Sequence, residues 1–156
     1  MKRASCILGA LLLISPSVQA AGAPLAVSGL VAHPLTLTLA DLRAFPASHV
    51  SATQASGHGP VPLDCTGPAL TALLDKATLN LGKNKNVSLA HSILVTADDN
   101  YAVALSLGEL DPDYGNARAI IATDCNGKPE DTPRLVVPGD KHGGRAVNGV
   151  VRIEVK

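Results

Sequence analysis

Aromatic residues are scarce in this chain: it has no tryptophan, one phenylalanine and two tyrosines among 156 residues. A protein that stacks nucleic-acid bases or sugars on aromatic rings needs a richer supply. Charge is also sparse and balanced, with 13 basic and 13 acidic residues. Because a nucleic-acid surface needs clustered lysine and arginine, the composition argues against a nucleic-acid-binding protein.

Long hydrophobic runs are absent after the first twenty residues, so we predict no membrane span in the mature chain. The beginning has the three parts of a secretory signal peptide. Basic Lys2-Arg3 precedes an apolar run from Ala4 to Ile14, and Val18-Gln-Ala20 fits a small-x-small cleavage site. We therefore predict a signal peptide over residues 1–20, one mature domain over residues 21–156, and a periplasmic or secreted location.

Cysteine is limited to three residues, and only Cys65 and Cys125 remain after the predicted signal peptide. An even number of cysteines in an oxidising compartment favours a disulfide. Closing a loop of about 60 residues would stabilise the fold by roughly 4 kcal/mol in the chain-entropy model. A free thiolate at Cys65 that binds a metal is the competing interpretation, and the sequence leaves both open.

The C-terminal end is the most regular part of the chain and predicts two strands. Arg134–Val137 is a short run that Pro138 ends, since proline donates no ladder hydrogen bond. Residues 147–155 nearly alternate between apolar and polar, with Val150 as the apolar residue out of phase. The segment between the strands contains three glycines and the basic Lys141, His142 and Arg145. These three side chains predict an anion site on a flexible turn, although a solvated hairpin would have the same composition.

Upstream, apolar spacing indicates short strands and helices. Thr38 fits the cap of a short helix over residues 38–44. The stretch 48–62 reads as a polar loop with a strand near 49–53. A helix with an apolar stripe is predicted to open at Cys65, which would place the Cys65 sulfur at a helix N-terminus, where the dipole favours a thiolate. Further strands are predicted at 92–97, 101–105 and 117–123, and Asn126-Gly127 is a strong turn signal.

Several of these segments resemble the sulfite-oxidase-type molybdopterin-binding domain, in its short, exported, single-domain form. The most specific segment is Pro133-Arg-Leu-Val-Val-Pro-Gly139, followed by Gly144-Arg145, Val147 and the closing Arg152-Ile153 with Val155. Similar strings occur at 25–31, 37–42, 66–74 and 95–101. The resemblance implies an α+β fold, with a mixed β-sheet or barrel-like core and a few short helices.

The resemblance also implies chemistry. In this family a pterin dithiolene holds molybdenum, one protein thiolate completes the metal's coordination, and cationic groups neutralise the pterin phosphate. Arg134 and Arg145 stand where family arginines stand, and Lys141 and His142 could add to the anion site. The chain departs from the family where Val147-Asn148-Gly149 replaces a common valine-lysine-tryptophan. No cysteine occurs between residues 21 and 64, where the family's metal ligand is expected, so Cys65 is the candidate ligand and catalytic residue.

Two functional hypotheses follow. The first is a periplasmic molybdopterin-dependent oxidoreductase working by oxo transfer, with Cys65 on the metal and a redox partner protein. The second is a cofactor-free binding or accessory module of the same fold, stabilised by a Cys65–Cys125 disulfide, with a small anion as its ligand. Substrate, electron acceptor and oligomeric state do not follow from the residues.

Overall fold

The computed structural model describes residues 22–56 and 59–156, so the predicted signal peptide lies outside the described residues. Their strands form a five-stranded sheet of order β2-β1-β9-β5-β6 and a four-stranded sheet of order β3-β4-β7-β8. The strands are β1 (Leu25–Gly29), β2 (Leu35–Leu37), β3 (Ala47–Ser56), β4 (Gly59–Pro68), β5 (Ser92–Ala97), β6 (Ala102–Ser106), β7 (Ile120–Cys125), β8 (Lys128–Val136) and β9 (Val150–Val155). Together with three short helices they confirm the predicted α+β fold class.

The closing strand β9 lies inside the five-stranded sheet, between β1 and β5. It runs parallel to β1 and antiparallel to β5. The sequence pattern placed Val150 out of phase, yet Val150 is fully buried and Val151 is only partly buried. The cause is a register shift opposite Thr96 and Ala97, because an extra residue in one strand reverses which side chains face the core.

The sequence suggested that the two C-terminal strands pair as a hairpin, but the structure does not pair them. β8 is an edge strand of the four-stranded sheet, whereas β9 belongs to the other sheet. A single isolated bridge between Arg134 and Asn148 connects their ends. The glycine-rich segment between them therefore crosses from one sheet to the other.

The predicted polar loop at 48–62 is wrong in its main feature, because β3 and β4 form a long antiparallel hairpin there. Its register runs from Ala47 opposite Pro68 to Ser56 opposite Gly59. Small polar residues gave this segment little apolar alternation, so its strand character comes from pairing rather than from propensity.

Three helices join the strands: α1 (Leu39–Arg43), α2 (Leu70–Ala77) and α3 (Leu107–Leu110). Thr38 caps α1 as predicted, and Asp41 completes a capping box by accepting from the Thr38 backbone. The predicted start of the second helix is wrong. Cys65, Thr66 and Gly67 lie in β4, and α2 begins only at Leu70 with no side-chain cap.

The main core combines residues of the five-stranded sheet with the inner faces of α2, β7 and β8. Its fully buried side chains include Leu25, Leu70, Leu73, Ile93, Ile121, Leu135 and Ile153. A smaller, separate apolar cluster contains Val50, Leu63, Cys65, Ile120, Ala122, Cys125 and Val136. Since Leu135 and Val136 are successive strand residues, the two clusters lie on opposite faces of the four-stranded sheet. The smaller cluster is where the candidate site begins.

Candidate functional site

The two cysteines that the sequence left with two interpretations are joined in a disulfide. Cys65 and Cys125 face each other in register on β4 and β7, with 4.1 Å between their Cα atoms. Both are buried in the smaller apolar cluster. With its sulfur bonded to Cys125, Cys65 carries no thiolate, and its place within a strand removes the helix-dipole argument. The role of Cys65 as metal ligand stays a prediction that requires reduction.

The turn after β7 holds the β3–β4 hairpin next to the disulfide, through hydrogen bonds to Asp64. Asn126 lies in the left-handed region with a φ of 52° and is followed by Gly127, as the turn signal predicted. Its amide donates to the Asp64 carbonyl at 2.7 Å, and its side-chain oxygen accepts from the Asp64 amide at 2.9 Å. Its side-chain nitrogen also donates to the Pro62 carbonyl at 3.4 Å. Asn126 therefore extends the β-ladder by one step beyond β7.

Beyond this point the hairpin continues without β7, because β4 pairs with β7 only at Cys65 and Thr66. The outer part of β3 and β4 is the projecting arm, residues 51–56 and 59–64. Facing the arm is the turn that follows β8, and between them lies a cleft of about 550 Å³. We call it the arm cleft. Its lining residues are Ser51, Ala52, Thr53, Pro62, Leu63, Asp64, Gly139, Asp140 and Lys141.

Arg145 holds the turn side of the arm cleft in place. Its guanidinium donates to both Asp140 carboxylate oxygens, at 2.9 and 2.6 Å, and to Glu109 of α3 at 3.0 Å. These contacts, above all the hydrogen bonds to Asp140, raise the pKa of Arg145 above its ordinary value. The Tyr101 hydroxyl also donates to the Gly144 carbonyl at 2.5 Å. The predicted flexible turn is thus tied to two other parts of the fold.

The other predicted cofactor-binding residues make no hydrogen bond or ion pair with Arg145 in the described part of the chain. Arg134 is mostly buried on β8, and its nearest carboxylate oxygen, on Glu130, is 4.0 Å away. Its Nε atom is buried and has no hydrogen-bond partner among the described residues. Lys141 and His142 are exposed, and only Lys141 lines the arm cleft. Sequence reasoning assigned these four residues to one anion site, and that assignment stays a prediction.

Sequence reasoning missed the acidic residues that act on the turn. Asp140 stands five residues before Arg145, and Glu109 lies 36 residues before it in the short helix α3. Ser106 caps α3 by accepting from the Gly108 amide, and Glu109 of the same helix pairs with Arg145. A nearby aspartate in the same glycine-rich turn was the one available signal that Arg145 would be neutralised.

The arm and the residues at its base carry a polar cluster that the sequence did not predict. His49 Nε2 lies 2.5 Å from Asp64 Oδ1, and the Ser51 hydroxyl donates to the same oxygen at 2.9 Å. Both His49 and Asp64 are more than half exposed. Residues 49, 51 and 64 share one face of the hairpin because Ser51 stands opposite Asp64.

These residues do not fit a molybdenum centre in the state described. The metal needs a thiolate, and both cysteines are used in the disulfide. The pterin phosphate needs free cations, and Arg145 already binds two carboxylates. No group of three or more His, Cys, Asp or Glu side chains within residues 22–56 and 59–156 is placed to hold a metal ion.

Comparison with known proteins gives a structural likeness without a family match. No family model matches the chain, and no curated protein matches it. Among solved structures it is similar to the sulfane dehydrogenase SoxCD from Paracoccus pantotrophus, with a TM-score of 0.68 and 21% sequence identity. The match covers 85% of this chain and 38% of the SoxCD chain. At this identity the likeness shows the fold, which agrees with the predicted type. None of the described helices is long and apolar enough to cross a membrane.

Proposed function

We propose that residues 21–156 form an exported binding module on the sulfite-oxidase type of fold, and that it takes its ligand in the arm cleft without molybdenum. The Cys65–Cys125 disulfide carries this proposal, because it uses the sulfur that the metal would require. The disulfide also suits the oxidising compartment that the predicted signal peptide would lead to. We place the protein in the periplasm or outside the cell.

The cleft is suited to binding because its walls are fixed and its chemistry is polar. One wall is held by the disulfide and Asn126, and the other by Arg145. Fixed walls lower the ordering cost of association. Hydroxyl groups of Ser51 and Thr53, together with the Lys141 ammonium, provide groups for recognition.

A molybdopterin oxidoreductase is the second candidate, and two observations favour it. The fold is similar to that of a dehydrogenase. Arg134, which stands where a family arginine stands, has a buried Nε atom with no partner among the described residues. Under this candidate a reduced Cys65 would bind the metal and Arg134 would face the pterin. The cofactor would supply the oxo-transfer chemistry, while Lys141 and His142 added positive charge.

Metal analysis and thiol counting separate the two candidates. The full chain, with its residues 1–20, is expressed in a bacterium that makes molybdopterin and is purified from the periplasm under non-reducing conditions. The binding module should contain far less than one molybdenum per chain and no free thiol after denaturation. A molybdenum content near one per chain that Cys65→Ser abolishes and Cys125→Ser preserves would support the oxidoreductase instead. Recovery of the chain from the cytoplasm alone would contradict the proposed location.

A further inference from the structure

The direction of the Asp64 backbone shows which groups of β3 are open. Both the amide and the carbonyl of Asp64 bond to Asn126, on the side away from β3. Residues opposite each other in an antiparallel pair orient their backbones alike, either both toward the partner strand or both away from it. Ser51 stands opposite Asp64, so its amide and carbonyl point away from β4, off the outer edge of β3.

The disulfide gives an independent check on this orientation. A Cα–Cα separation of 4.1 Å between Cys65 and Cys125 is typical of a pair without ladder hydrogen bonds. The Cys65 backbone therefore points toward β3 and bonds Val50. Because orientation alternates along a strand, His49, Ser51 and Thr53 all present their backbone groups outward.

No strand pairs with that outer edge of β3 in the described part of the chain. None of the backbone hydrogen bonds among residues 22–56 and 59–156 reaches it from a loop either. Three amides and three carbonyls thus form an open hydrogen-bonding row beside the arm cleft.

The chemistry of β3 does not block pairing. Its ten residues contain no lysine, arginine, aspartate, glutamate or proline, the residues with which proteins usually protect an edge strand. The edge strand β8 of the same sheet has such protection, with Lys128, Pro129, Glu130, Asp131, Pro133 and Arg134. In the other sheet, the edge strands β2 and β6 are only three and five residues long.

One cation beside the open edge, Lys141, can receive an acidic group of a ligand. The Asp64 carboxylate accepts from Ser51 and contacts His49, and the Asp140 carboxylate is held by Arg145. Lys141 lines the same cleft and has no ion-pair or hydrogen-bond partner among the described residues. Its ammonium can therefore meet a carboxylate of a ligand, although the Asp64 carboxylate of the same lining keeps its own negative charge.

We propose that the outer edge of β3 binds an extended peptide segment of a partner protein as an added β-strand, with an acidic side chain of that segment against Lys141. The inference rests on the proposed binding function and names its ligand class. Backbone bonds to His49, Ser51 and Thr53 provide affinity, and Lys141 selects the acidic residue.

The test uses the oxidised protein and a short acetylated, amidated peptide that alternates threonine with valine and carries a central glutamate. Amide hydrogen exchange is followed by NMR. Binding should slow exchange at His49, Ser51 and Thr53 by about tenfold or more, and should leave Val50 and Ala52 nearly unchanged because their amides already face β4. Unchanged exchange at the three outward amides in saturating peptide would overturn the proposal.

Proline substitution provides a matched pair of variants. Thr53→Pro removes only an outward amide, which an edge strand tolerates, so the fold should persist while peptide affinity falls about tenfold or more. Thr53→Ser keeps the amide and should bind like the parent protein. Lys141→Gln should weaken the glutamate peptide about fivefold and should not affect its glutamine analogue. Equal binding of the glutamate peptide by all three variants would contradict pairing at this edge.

The remaining outcomes also decide between explanations. If the outward amides are protected without peptide, and more so at higher protein concentration, a second copy of the chain occupies the edge and the peptide proposal fails. If the protein lacks molybdenum but the peptide does not bind, this inference alone fails. If molybdenum is present near one per chain, both this inference and the proposed binding function fail.

Discussion

At the scale of single residues, the Thr38–Asp41 pair is the clearest local device. The Asp41 carboxylate accepts from the Thr38 hydroxyl at 2.6 Å and from the Thr38 amide at 2.8 Å. These bonds to the ionised form lower the pKa of Asp41 below 3.8, with the hydroxyl as the largest cause. Since the folded pKa is depressed, this contribution to stability is fully present above the unfolded pKa and is lost as the pH falls through the folded pKa.

We predict that Thr38→Val returns the pKa of Asp41 toward 3.8, because valine has the shape of threonine without the hydroxyl. NMR titration of the Asp41 side chain measures the change. Thr36→Val provides the comparison, since Thr36 is exposed outside the pair and its replacement should leave the low Asp41 pKa in place. An Asp41 pKa that stays at its low value in Thr38→Val would mean that the hydroxyl is not its cause.

Arg145 acts on structure rather than on a free anion. We predict that Arg145→Gln lowers the free energy of unfolding by about 2 kcal/mol, because it leaves Asp140 and Glu109 without their cation. Urea denaturation measures the loss. Arg152→Gln is the matched control, since Arg152 is exposed on β9 and should change stability by less than about 0.5 kcal/mol. Equal losses in the two variants would show that the carboxylate pairs do not matter.

Much of the residue-scale detail follows from local sequence. Thr38 as a cap, Asn126-Gly127 as a turn and the apolar stripe of α2 depend on neighbours only a few positions away. The partners of Arg145 and Asn126 do not, because Glu109 is 36 residues from Arg145 and Asp64 is 62 residues from Asn126. Contacts of that separation are set by how the sheets are placed.

At the scale of elements, the contact between β4 and β7 depends on a glycine. A Cβ atom added at Gly67 would overlap the Ile121 carbonyl oxygen and crowd the Ala122 Cα atom. Both obstacles are backbone, so they cannot move as a side chain would. The absence of a side chain at Gly67 therefore allows the two strands to approach.

We predict that Gly67→Ala destabilises the protein by about 3 kcal/mol or more, since β4 and β7 must separate to accept the methyl group. Gly144→Ala is the control: its added Cβ meets nothing within 4 Å, and its effect should stay within about 0.5 kcal/mol. Thermal unfolding followed by circular dichroism compares them. A Gly67→Ala protein as stable as Gly144→Ala would contradict the close strand approach.

The elements also show where sequence reasoning ends. Strands were predicted at 92–97 and 101–105 from apolar spacing, and β5 and β6 lie at nearly those residues. The β3–β4 hairpin was missed because its glycines and prolines suggested a loop. Cys65 was placed at a helix start because the apolar stripe of α2 follows soon after it, although pairing with Val50 keeps residues 65–67 extended.

At the scale of the whole molecule, the disulfide spans a sequence separation of 60 residues and fixes the base of the arm. We predict that replacing both cysteines by alanine lowers the free energy of unfolding by about 4 kcal/mol, chiefly by freeing the unfolded chain. Guanidinium denaturation measures the loss. Reductant should destabilise the parent protein and leave the variant unaffected. A variant as stable as the oxidised parent would show that the disulfide does not stabilise the fold.

For the molecule as a whole, the sequence predicted the fold class but not the state of the candidate site. The α+β class followed from a resemblance spread over most of the mature chain, and short strings around Arg134 and Gly67 carried it. The state of the site did not follow, because it depends on whether Cys65 and Cys125 meet, on what neutralises Arg145 and on which backbone groups of β3 stay open.

The central claim is that the protein binds its ligand with Cys65 bonded to Cys125 rather than to a metal. Native mass spectrometry of the exported, non-reduced protein tests it most directly. We expect the mass of the polypeptide less the two hydrogens lost in one disulfide, with no added mass of a metal cofactor. A species heavier by a molybdenum cofactor, with both cysteines free of the disulfide, would contradict it.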